Sequence, residues 1–68
     1  MSIYLVIVLL AVPGHGGELV AELSREWISA STASVCQSHA DKRAEEARKK
    51  QQARGRVFGV CVLRGEMA

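Results

Sequence analysis

The stretch Glu18-Leu19-Val20-Ala21-Glu22-Leu23-Ser24-Arg25-Glu26-Trp27-Ile28 decides the fold. Two periodicities compete in it. Leu19, Val20, Leu23, Trp27 and Ile28 fit a helical stripe, and Glu and Ala favour a helix. As a strand, the same segment sets Leu19, Ala21, Leu23 and Trp27 against Glu18, Glu22, Ser24 and Glu26, with Val20, Arg25 and Ile28 out of step. The preceding residues favour the strand. Pro13-Gly14-His15-Gly16-Gly17 is turn chemistry, and a short Gly-rich turn after a strand most simply makes a hairpin.

Upstream of that turn, residues 2–12 read as a strand buried on both faces. Ile3, Leu5, Ile7 and Leu9 alternate with Tyr4, Val6, Val8 and Leu10, so both sets are apolar. Downstream, residues 30–54 read as a helix. Ser29, Ser31 and Thr32 are N-cap candidates, and Ser34 with Gln37 fits a capping box one turn later. Ala33, Cys36, Ala40, Ala44 and Ala47 recur at spacings of three and four. They are small enough to let the helix lie close to a sheet. Glu45 with Lys49 and Glu46 with Lys50 are i,i+4 ion pairs, and Gly55 suits the position just past the helix end. Residues 56–64 form a last strand.

Short connections fix the topology. The second strand feeds the helix almost directly, and Gly55 turns the helix into the last strand. Strands 2 and 3 therefore run parallel through a crossover, with strand 1 antiparallel to strand 2 through the hairpin. The most apolar strand belongs in the centre. The expectation is an α+β fold, ββαβ: one domain over residues 1–68, with strand 18–28, strand 2–12 and strand 56–64 in the order 2-1-3 and one helix on one face.

This layout resembles a type of small uncharacterised protein encoded by bacteriophages and prophages. The resemblance rests on the apolar first strand, the Gly-rich hairpin and Glu26-Trp27 closing the second strand. It rests also on Cys36 early in the helix and on Val60-Cys61-Val62 in the last strand. The Ser/Thr stretch Ser29 to Ser34 departs from that pattern. The resemblance implies the fold and a pairing of Cys36 with Cys61, but no activity. A disulfide there would staple helix to sheet; two buried free thiols are the alternative expected of a reducing cytosol.

Composition narrows the function. A chain of 68 residues buries only about 60% of its unfolded surface and usually needs a staple or a partner. A net charge of +2 is too small to call for a polyanionic ligand. The apolar run at residues 3–12 is shorter than the roughly 20 residues of a membrane span. As a signal peptide it lacks a preceding Lys or Arg, and Pro13-Gly14-His15-Gly16 is a poor cleavage region. The expected location is the host cytoplasm, or the periplasm or exterior if that run is a signal peptide.

No nucleophile–base set or paired carboxylates stand out, so the expectation is a non-enzyme with no cofactor and no small-molecule substrate. Cys36, His39, Cys61 and His15 as metal ligands lack the usual paired spacing, and no metal is expected. His39 reads more simply as a surface residue. The glycines of residues 14–17 lack the Lys-Ser/Thr and the helix of a phosphate loop. Arg48, Lys49, Lys50, Arg54 and Arg56 form a basic run that offers a nucleic-acid reading. The interleaved Asp41, Glu45 and Glu46 favour a solvated face instead.

One helix covers one side of a sheet. If Cys61 faces the helix with Val57, Gly59 and Leu63, then Phe58, Val60 and Val62 face away. One of the two sets of strand 1 joins them; Tyr4, Val6 and Val8 are the set assigned to that face. A homodimer, or a host or phage protein, is expected to cover it.

Overall fold

A computed structural model describes residues 2–51 and 55–66. Strand β1 runs Ser2–Gly14, β2 runs Gly17–Ala30, helix α1 spans Ala33–Gln51, and β3 spans Arg56–Leu63. A 3-10 turn, Arg64–Glu66, follows. The sheet order is β2-β1-β3, and β1 is antiparallel to both neighbours. The strand reading of residues 18–28 holds. The turn tightens to His15-Gly16, since Gly14 already pairs with Gly17. Gly16 (φ 85°) and Gly17 (φ 141°) adopt backbone conformations that other residues rarely enter, which is why glycine closes the hairpin.

The helix starts later than residue 30. Ser2 pairs with Ala30, so β2 extends to that point and the Ser31-Thr32 bend turns the chain. Thr32 is the N-cap: its Oγ1 accepts the Val35 amide at 3.2 Å. The Ser34/Gln37 capping box does not form. The Gln37 amide instead donates to Asp41 Oδ1 at 2.9 Å and to the Gly59 carbonyl at 3.2 Å. Lys49 lies 3.9 Å from Glu45 as expected, but Glu46 takes Arg43 at 3.2 Å. The expected helix end at residues 52–54, with Arg54, falls outside the described residues.

Under the helix the core is built from small and β-branched side chains. Cys36 and Ala40 are fully buried, Ala44 is nearly so, and Ala47 packs at the margin. Ala33, expected on this face, is exposed: it is the first helical residue and lies at the edge, lining an open depression with Tyr4, Cys61 and Leu63. Beneath lie Tyr4, Val6, Val8 and Val57, all buried. Two packed groups result, one around Val6, Cys36 and Ala40 and one around Val8, Ala44 and Val57. Gly59 sits at their junction. A methyl there would stand 2.5 Å from the Ala40 carbonyl oxygen and 2.9 Å from its Cβ. Helix and strand backbones touch at this point, and only glycine allows it.

Cys36 and Cys61 form a disulfide with Cα atoms 6.3 Å apart. It joins helix to sheet across 25 residues of sequence. In the chain-entropy picture a loop of that size stabilises by about 3.5 kcal/mol, a large share of what a domain this small has.

Candidate functional site

The sheet has two unlike faces, and the pairing register says which residue is on which. Residues directly opposite one another in neighbouring strands project to the same side. Val6 pairs with Cys61, Val8 with Gly59 and Tyr4 with Leu63, so Tyr4, Val6 and Val8 lie under the helix. The assignment of these three to the uncovered face is therefore corrected. The set that stays uncovered is Ile3, Leu5, Ile7 and Leu9. Its β3 neighbours are Val62 opposite Leu5, Val60 opposite Ile7 and Phe58 opposite Leu9. Phe58, Val60 and Val62 do face away from the helix, as expected.

A bulge changes the reading of β2. Val8 pairs with Ser24 but Leu9 pairs with Glu22, so Leu23 is the extra residue. Below the bulge Leu23 packs toward Ala44 and Val57 on the helix side. Above it Ile28 and Glu26 face the helix and Trp27 faces away, opposite Leu5. Leu23 and Trp27 are thus on opposite faces, because the inserted residue flips the alternation.

The uncovered face is apolar along its centre and charged along β2 and at one end of β3. Leu5 is buried there, at 5% exposure, between its neighbours. Ile3, Ile7, Leu9, Phe58, Val60 and Val62 are half-buried, and Trp27 is 55% exposed. Val20, on the same face by its pairing with Ala11, is 59% exposed. Arg25 and Glu22 form a pair at 2.8 Å opposite Ile7 and Leu9. Arg56 reaches Glu18 at 3.6 Å and stands 5.2 Å over the Phe58 ring. At the other end Ile3, Trp27 and Arg64 line a shallow depression.

A second polar cluster bridges β2 to the helix. Glu26 accepts from His39 Nε2 at 2.9 Å and from Arg43 Nε at 2.9 Å, and Arg43 also meets Glu46 at 3.2 Å. The hydrogen bond from His39 lowers the Glu26 carboxyl most; desolvation opposes it, and the hydrogen bond and charge of Arg43 add to it, so the group is held below its ordinary value of 4.5. His39, read from the sequence as a surface residue, is therefore a strut between layers. Glu26 recurs on the helix side only because the bulge restores it there, which no residue pattern announces.

The basic run does not gather into one surface. Arg48 donates to the Val57 carbonyl at 3.0 Å, Lys49 lies beside Glu45, and Arg56 belongs to the opposite face of the sheet. Arg54 lies outside the described residues. With both cysteines in the disulfide, Cys36 and Cys61 have no thiolate to offer a metal. Among the described residues no three His, Cys, Asp or Glu side chains are grouped to hold one, and no helix is long and apolar enough to cross a membrane. Comparison with protein-family models, with curated proteins and with solved structures finds no match to this chain.

Proposed function

We propose that this chain is a non-catalytic accessory protein of phage or prophage type that acts by binding another protein. One observation carries the reading: an apolar sheet face, with Trp27 more than half exposed, has no helix or second sheet over it among the described residues. Contiguous exposed apolar patches rimmed by polar residues are a mark of interaction sites. The layout described from the sequence supports the phage-type assignment. The test is capture by the immobilised, oxidised protein compared with a Val60→Lys variant. Val60 lies mid-face and away from the helix, so the lysine disturbs the surface and leaves the core alone. A partner held by the native protein and released by the variant supports the reading. Equal retention by both defeats it.

The disulfide carries a second reading, of location. Such bridges persist in oxidising compartments and are rare in a reducing cytosol, which supports an exported protein over one kept in the host cytoplasm. Thiol trapping followed by intact-mass measurement on separated cell fractions distinguishes the two.

A further inference from the structure

We infer that the occupant of the open face is a second copy of this chain, stacked so that its strands run opposite to those of the first. This rests on the reading of that face as a binding surface, and it commits to a partner.

The argument is the order of charges along β2. From the hairpin end the uncovered side of β2 reads Glu18, Val20, Glu22, Arg25 and Trp27, and Arg64 stands beside Trp27 at the far end. Along β2 the acids occupy one half and the bases, with Arg64, the other; Arg56 of β3 stands at the acidic end, already paired with Glu18 of its own chain. A two-fold axis lying between the sheets and across the strands laps each half onto the opposite half of the other copy. Arg25 then faces the partner's Glu22, Trp27 covers the partner's Val20, and Arg64 approaches the partner's Glu18. A two-fold axis along the strands does worse: it sets Arg25 against the partner's Val60 and leaves both Arg64 side chains at one end. The face is thus self-complementary in one orientation, as a closed isologous pair requires.

Size agrees. The ladder shared by β1 and β3 covers Tyr4 to Ala11. At about 3.3 Å per residue and about 4.8 Å between strands, the apolar centre measures roughly 26 by 14 Å. With its charged rim, such a patch buries on the order of 600 Å² per copy, the lower end for a specific pair. Trp27 and Val20 are the large apolar residues left most exposed on this face, at 55% and 59%, and the antiparallel stacking covers each with the other. Aligned sheets then pack about 10 Å apart, as in a sandwich.

Sedimentation equilibrium on the oxidised full chain tests it, with Glu22→Arg, Arg25→Glu and their equimolar mixture. Far-UV circular dichroism and a thiol titration check that each variant keeps its fold and its disulfide. The native chain is expected to dimerise reversibly, and each variant alone to self-associate at least about tenfold more weakly, because position 22 meets position 25 with like charge. The mixture is expected to recover the native affinity, since each copy then supplies the charge the other lacks. A native chain that stays monomeric at about 200 μM overturns the inference. So does a mixture no tighter than its components. If that monomer still captures a partner that Val60→Lys releases, only the second copy is ruled out and the binding face survives; if it captures none, both readings fall.

Discussion

The two faces of the sheet use apolar residues in different ways. Under the helix the packing is close, with Gly59 against Ala40 and Val6 against Cys36, and it is locked by a covalent bond. On the other side Leu5 is buried but its apolar neighbours are only half-buried, and no helix or second sheet among the described residues lies over them. Both faces are hydrophobic in composition, so composition alone does not make a core. What makes one is small residues on two facing elements, which let backbones approach until side chains fill the space at crystal-like density. The open face lacks the opposing layer, and its aromatic residues, Phe58 and Trp27, are of the kind that suits a contact with another molecule.

The contrast can be broken or sharpened by substitution. The largest effect is expected from Cys36→Ala with Cys61→Ala, which opens the covered face. Loss of the bridge should lower unfolding free energy by about 3.5 kcal/mol, read from urea transitions against the oxidised native chain. Next comes Gly59→Ala. Its methyl meets the Ala40 backbone, so the helix must lift, at a cost of about 1–3 kcal/mol. Gly65→Ala, with open space around it, serves as the control.

A matched pair then compares the faces directly. Val8→Ala empties a site that is 1% exposed and should cost about 2 kcal/mol. Val60→Ala, measured at dilution where the chain is monomeric, should cost less than about 1 kcal/mol. Equal losses would mean that the open face is as well packed as the covered one. The smallest effect belongs to Glu26. Its carboxyl is held below 4.5 in the folded chain, so its contribution to stability is complete above that value and disappears as pH falls through the folded pKa. Urea midpoints at about pH 6 and about pH 3 should therefore converge for Glu26→Gln more than for the native chain, the side chain's 38% exposure keeping the difference modest.

Much of this was legible in the residues. The Gly-rich turn with apolar runs on both sides gave the hairpin, and the three-and-four spacing of Cys36, Ala40 and Ala44 gave the buried helix face. Phe58, Val60 and Val62 were separable from Cys61 by alternation alone. Other features left no trace in the pattern. Leu23 looks like any apolar strand residue, yet it is the bulge that sends Trp27 to one face and Glu26 to the other. The strut from Glu26 to His39 and Arg43 joins residues 13 and 17 positions apart, and nothing local marks them as partners.

The sequence by itself determined the order of elements, the central place of β1 and the single helix. These follow from connection length and side-chain period, which are properties of the chain. Only the tertiary structure decided which side of β1 lies beneath the helix. Ile3, Leu5, Ile7 and Leu9 are as apolar as Tyr4, Val6, Val8 and Leu10, so burial gives the chain no preference between them. The choice falls to register. Val6 sits opposite Cys61 and Val8 opposite Gly59, and a slip of one residue would put the other set under the helix.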